Sequence, residues 1–455
     1  MYTSAAYRSS PVWLQEGMLS ARALVRRRLR EGRHLDAELR DVEASQWLDT
    51  AQLEALQLQR LRATINHAIQ HVPFYRDLYR RHGVDGAAIA SLGDVGKLPI
   101  IDKTQVVAAG VTMHSEHRRG PRFLSTSSGT TGSYVAAYRD LHSIVRENAF
   151  IVRQLHWAGV SLEDRRVWIR GDKIVPSGDR SGPFWRHNLA DHTLMMSAYH
   201  LSEPRTAAYV EAMEDFDPVA IQAYPSAIVF IANVLEASGR KYGGRNLRAI
   251  VTSSETITDV QKRQVQRVFG CPVFDWYGNF ERVAAIGTCE HQRYHLISDY
   301  SYVELQPDKT GGCEIVGTSF DNLAMPWIRY RVEDLVVPDR SGRSCECRRA
   351  FPLIATIEGR AQDYLVAPHG RRIVMPINAF DDIQGLLEGQ FVQTVNTSVD
   401  VLCRLAAGAA TTSHDIESIV RAYVGPDLGI HVKIVTEIPR TSSGKLRTVI
   451  RTVDQ

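Results

Sequence analysis

Long apolar runs are missing from this sequence. The most conspicuous one, Ile228-Val229-Phe230-Ile231-Ala232-Asn233-Val234-Leu235, is far too short to cross a bilayer, so membrane insertion is not expected. A charge imbalance is missing as well: 54 basic against 51 acidic residues leave a net charge of +3, which gives no case for a nucleic-acid partner or a broad anionic surface. The local exception is the Arg-rich stretch 22–30, but Glu31, Asp36, Glu38, Asp41 and Glu43 follow at once, so it reads as a solvated helix face. No apolar export segment precedes it, and secretion is not expected. Cysteine is scarce, six in 455 residues, and a chain this long does not need disulfides; a reducing cytoplasm is the expected setting. Internal repeats and low-complexity linkers are absent.

What is present is an ordinary globular composition on a chain too long for one core, which predicts two or three structural units. The first hundred or so residues read as helical; from Leu53 to His71 apolar residues recur near helical spacing and stop at Pro73. From about Arg165, short apolar strands (166–170, 249–252, 272–276) alternate with amphipathic helices (207–213, 260–268), the rhythm of an α/β domain. Residues 302–305 and 313–316, joined by a Pro/Asp/Gly-rich turn, read as a hairpin. The last hundred or so look like a small α+β unit with strand 399–405, helix 415–423 and strand 431–435. The expected organisation is a large N-terminal α/β domain of stacked sheets and helices, 1–358, and a small mobile α+β C-terminal domain, 359–455.

The segment Ser127-Ser128-Gly129-Thr130-Thr131-Gly132 concentrates hydroxyls and permissive backbone, the chemistry of a phosphate cradle. It lacks the lysine of a GxxxxGK[ST] loop, which excludes the usual NTPase arrangement. Downstream come Tyr277-Gly278-Asn279-Phe280-Glu281, Arg329-Tyr330-Arg331-Val332-Glu333-Asp334, Gly359-Arg360-Ala361-Gln362-Asp363 and Pro439-Arg440-Thr441-Ser442-Ser443-Gly444-Lys445. With Leu98-Pro99-Ile100-Ile101-Asp102-Lys103 and Ala223-Tyr224-Pro225-Ser226, this ordered series resembles the adenylate-forming superfamily of acyl- and aryl-CoA ligases, and within it the phenylacetate-CoA ligase and CapK-like branch.

The resemblance implies ATP-dependent activation of a carboxylic acid, aryl or arylalkyl, as an acyl-AMP, followed by transfer to CoA. It also implies roles for residues. Ser127 to Gly132 would hold the β- and γ-phosphates, Glu281 would hold Mg²⁺, and Tyr277 would stack near adenine with Gly278 and Asn279 shaping the turn. Asp334 would accept from both ribose hydroxyls, Arg360 would lie near the ribose and α-phosphate, and Ser254 and Glu255 would pass beside adenine. Ser254 reads equally well as an ordinary helix cap. Tyr224 and Pro225 would border the acyl pocket, with core packing as the alternative. An isolated lysine is usually a solvated surface charge, but the motif makes Lys445 the group that bridges carboxylate and α-phosphate as negative charge develops. The chain departs from the family pattern at Tyr134 and Val135 after the loop, at Glu333 and at Gln362.

Cys289, His295, Cys345 and Cys347 form a separate signal: three thiolates and an imidazole make a closed tetrahedral set suited to structural Zn²⁺, with reduced metal-free thiols as the alternative and His291 competing with His295 as fourth ligand. Some CapK-like members carry a similar set. Cys271, Cys313 and Cys403 read as core residues. Two rivals remain at this stage: transfer of the acyl group to an amine or hydroxyl, and a nucleotide-binding homologue without turnover. The expected partners are a small carboxylic acid and an acyl acceptor, and a homodimer is one assembly open to the chain.

Overall fold

The computed structural model describes residues 4–31, 33–84, 89–117, 120–126, 135–176, 178–308, 312–360, 364–373, 375–441 and 443–452. The chain forms two compact units, each assembled from separated segments: 1–23, 162–274 and 358–455 in the first, 24–161 and 275–357 in the second.

In the second unit, the helix Thr50–His71 begins at a capping box in which Asp49 and Gln52 satisfy each other's backbone N–H groups. Its Leu61, Ile65 and Ala68 are fully buried in a core with Tyr75, Leu98, Ile101 and Trp327. The expected hairpin forms: Ser301–Pro307 pairs antiparallel with Cys313–Ser319, which pairs with Tyr330–Pro338. Tyr294–Leu296 lies between Ala285–Thr288 and the start of the strand Leu353–Arg360.

The first unit holds the α/β alternation read from the sequence. Arg166–Arg170 runs parallel between Thr193–Ser197 and Ala220–Ala223, and Ala249–Ser253 extends the row. Helices Glu203–Phe216, Pro225–Ala237 and Asp259–Phe269 supply its amphipathic segments. Strands Ala220–Ala223 and Ala249–Ser253 are buried along nearly their whole length, the pattern of a sheet covered on both faces, whereas Arg166–Arg170 alternates buried Val167 and Ile169 with half-buried neighbours. The same unit contains a four-stranded sheet in the order Gly429–Ile434, Ser398–Leu405, Leu386–Val395, Val449–Arg451. Its own core includes Phe391, Val401, Cys403, Ile416 and Val420, the last two from helix Ser413–Val424.

The stretch 22–30 lies in the helix Val12–Arg30 and is mostly exposed, as a solvated face should be. Among the described residues no helix is long and apolar enough to span a membrane. Cys271, Cys313 and Cys403 are buried in apolar surroundings, as expected.

Candidate functional site

Three clusters of chemistry-bearing side chains emerge, two in the second unit and one in the first. The first cluster joins residues far apart in sequence. Tyr277, at the end of strand Val273–Gly278, donates its hydroxyl to Asp334 Oδ2 at 2.6 Å. Burial and the adjacent Asp334 carboxylate both hold the Tyr277 hydroxyl protonated, so it stays a donor. The chain then turns tightly: Asn279 Oδ1 accepts from the Val283 N–H at 2.9 Å, and its carbonyl from the Arg282 N–H at 3.1 Å. That turn projects Glu281, which accepts from the Tyr330 hydroxyl and feels the positive charges of Arg139 and Lys103; burial nevertheless pushes its carboxyl upward. Arg139 also donates to the Phe280 carbonyl and stacks on that ring.

Lys103 reaches this neighbourhood because Ile101 docks on the same strand. The Ile101 N–H donates to Arg329 O at 3.0 Å and the Arg331 N–H to Ile101 O at 2.9 Å, a parallel bridge to Tyr330. Arg329 is locked by a bidentate pair with Glu304 at 2.7 and 2.8 Å, and Arg331 instead pairs at the surface with Glu314. The predicted phosphate loop, Ser127 to Gly132, lies outside the described residues. Its flanks are described: Arg122–Thr126 and Ala136–Asp140 form an antiparallel pair whose last rung is Thr126 with Ala136.

The second cluster is the Cys/His set. Cys289, His295, Cys345 and Cys347 are all buried, and their ligand atoms lie within 4.8 Å of one another. Cys289 Sγ is 3.6 Å from Cys345 Sγ, and Cys347 Sγ is 3.3 Å from His295 Nε2. Bonds of about 2.3 Å to a tetrahedral Zn²⁺ put sulfurs about 3.8 Å apart, so the residues fit that ion. His295 Nδ1 faces the Phe351 carbonyl at 3.2 Å, the outer contact that orients a ligating imidazole through Nε2. Burial lowers His295 to about 4 and raises Cys289 to about 12, so the ring is neutral and the thiol resists ionisation until a cation is present. The competing His291 is exposed and pairs with Glu346 at 3.3 Å. Among the described residues, His295 is therefore the imidazole of the set.

The third cluster lies within the first unit. Tyr224 caps the helix Pro225–Ala237, whose first-turn proline has no N–H to leave unpaired. Glu255 accepts from the Ser226 N–H through Oε2 and from the Leu446 N–H through Oε1, both at 2.9 Å. Arg440 donates to Ser226 Oγ at 2.8 Å and pairs with Glu388. Lys445 is thereby held with its Nζ 5.8 Å from the Tyr224 ring centre, within cation–π range, and Tyr224 Oη lies 3.4 Å from the Ser443 carbonyl. The residues predicted from the Tyr224, Glu255 and Lys445 motifs are thus brought together.

One reading changes. Ser254 does not cap the following helix: it is exposed in a left-handed conformation, φ 74°, and the cap is Thr258, reciprocally bonded with Gln261. Glu255 ties chain segments together through both carboxylate oxygens. Arg360 ends strand Leu353–Arg360; its side chain and residues 361–363 lie outside the described residues. Sequence reasoning missed Arg139, Lys103 and Arg440 as site-forming groups. Lys103 and Arg440 stood in recognised motifs, whereas Arg139 had no local signal.

No family model matches the chain. Protein CapK of Staphylococcus aureus is 23% identical over 98% of this chain and 99% of its own length. The phenylacetate-coenzyme A ligase of Pseudomonas putida is 28% identical over 70% of this chain and 74% of its own. Among solved structures, a 2-hydroxyisobutyryl-CoA ligase in the postadenylation state superposes with a TM-score of 0.69 at 19% identity, covering 89% of this chain and 90% of that one. These likenesses support the phenylacetate-CoA ligase and CapK-like branch of the adenylate-forming enzymes, and the fold is that of an adenylate-forming ligase.

Proposed function

We propose that this protein is a cytoplasmic, AMP-forming ligase that adenylates a carboxylic acid with ATP and passes the acyl group to CoA, the acid being aryl or arylalkyl. The observation that carries the reading is the clasp in which Glu255 binds the N–H groups of both Ser226 and Leu446, holding Lys445 against Tyr224. Three segments expected at one reaction centre meet there in the fold. Support comes also from relatives named as CoA ligases along most of the chain.

In this reading the acid carboxylate attacks the α-phosphorus, pyrophosphate departs, and the Lys445 ammonium offsets the negative charge that develops between them. A small C-terminal domain, 359–455, carries that lysine. Asp334, oriented by Tyr277, accepts from the ribose hydroxyls, and Ser127 to Gly132 hold the departing phosphates. Arg360 serves the ribose and α-phosphate. Glu281 is the oxygen ligand for Mg²⁺, which supplies charge neutralisation at the phosphates when bound. Cys289, His295, Cys345 and Cys347 hold a structural Zn²⁺ with no open position.

The test is acid-dependent pyrophosphate exchange across a panel of aryl, arylalkyl and aliphatic acids, followed by mass detection of the product with CoA or with an amine. Exchange with an aryl acid and a CoA thioester product are expected. Exchange with no acid would overturn the reading; an amide in place of the thioester would overturn the acceptor.

A further inference from the structure

Strand Arg166–Arg170 is followed by Gly171, which no catalytic motif includes. Its backbone lies outside the left-handed region, so local conformation does not demand glycine. Contact does. A Cβ on Gly171 would overlap the Ser443 carbonyl and come to 3.0 Å from the Tyr224 hydroxyl. The opposing residue is also a glycine: a Cβ on Gly444 would lie 3.2 Å from Gly171 Cα and 3.1 Å from Tyr199 Cζ. Gly444 adopts φ 79° to make the turn that presents Lys445. The turn is braced internally by Thr441, whose N–H donates to Lys445 O at 3.0 Å and whose Oγ1 accepts from the Lys445 N–H at 3.1 Å. Two aromatic hydroxyls flank the contact, Tyr199 Oη on Gly171 O at 3.3 Å and Tyr224 Oη on Ser443 O at 3.4 Å. Backbone is therefore packed on backbone at the point where Lys445 is delivered.

We infer that Gly171 is the seat of the Lys445 turn, a positioning residue whose missing side chain lets the lysine reach the acyl-activating centre; this rests on the proposed adenylation. A methyl group at 171 has a rigid backbone in front of it on a braced turn, and interiors this dense yield by moving the whole element. The element that moves carries Lys445.

The test is a double-mutant cycle on the full chain with Gly171→Ala, Lys445→Ala and both together, read by pyrophosphate exchange with an acid the wild type activates. Gly171→Ala is expected to lower exchange roughly 10²–10³-fold, the loss expected when one charge-stabilising donor is withdrawn. On the Lys445→Ala background it should cost nothing further, because it acts through that lysine. Trypsin provides a readout independent of activity: cleavage after Lys445 and Arg447 should accelerate in Gly171→Ala while cleavage elsewhere is unchanged. Wild-type exchange in Gly171→Ala, or a full further loss in the double variant, overturns the seat while leaving the reaction standing. Accelerated cleavage along the whole chain assigns Gly171 to ordinary packing and overturns it too. A wild type inert with every acid overturns the reaction itself, and the seat with it.

Discussion

The two units solve different physical problems with their charged groups. In the second unit, Asp334 and Glu281 are held by tyrosine hydroxyls on sheet strands, Tyr277 at 2.6 Å from Asp334 and Tyr330 on Glu281, so each carboxylate has an oxygen fixed by a neighbouring side chain. In the first, Lys445 sits on a turn held by backbone contacts and by the clasp of Glu255, with its ammonium facing the face of a ring. In the proposed adenylation, that contrast separates ground-state recognition from transition-state stabilisation. A carboxylate that binds ribose must be ready at all times, whereas a cation that neutralises developing charge must arrive in one arrangement.

Four substitutions can break or sharpen that contrast. Lys445→Ala should lower acid-dependent pyrophosphate exchange roughly 10²–10³-fold with little change in KM for ATP. Loss of ATP affinity with turnover intact would make Lys445 a binding residue and erase the difference between the units. Asp334→Ala should act the other way, raising KM for ATP roughly 10- to 100-fold, as expected for lost hydrogen bonds to a charged acceptor. Steady-state titration with ATP at saturating acid reads this directly. Tyr277→Phe, which removes the hydroxyl from Asp334 while keeping the ring, should raise the same KM about fivefold. An effect as large as that of Asp334→Ala would mean the tyrosine, not the carboxylate, carries recognition. Cys345→Ala should have the smallest effect on turnover, within about twofold, because a closed four-ligand set offers no position to a substrate. It should instead abolish metal content, about one zinc per chain in the wild type by elemental analysis, and lower the thermal midpoint by several degrees. Zinc-free wild type of unchanged midpoint would remove the metal from the account.

Much of the fold was legible because its signals are local. The helix Thr50–His71, the strand Arg166–Arg170 and the hairpin Ser301–Pro307 with Cys313–Ser319 each declare themselves within about twenty residues by period, cap or turn. Lys445 and Asp334 stand out in the sequence for another reason, since each lies in a short motif with a chemical rationale, and their roles rest on the proposed reaction. The pairing of Tyr277 with Asp334 was not, because 57 residues separate them and only sheet geometry sets their approach. Ser254 shows a different limit: a serine before a helix is a sound cap signal, but Thr258 with Gln261 supplied a complete capping box one turn later.

The sequence by itself determined the alternation of helices and strands, the lack of an apolar run long enough to span a bilayer, the motif series and the three thiols of one candidate metal set, because composition and short motifs encode these directly. Tertiary structure decided which histidine joins the thiols, burying His295 and leaving His291 exposed with Glu346. It also decided that Glu255 clasps the lysine turn and that the Ser443 carbonyl occupies the space a Cβ on Gly171 would need. Both depend on distances between segments remote in the chain, set by how the strands and turns of the first unit pack.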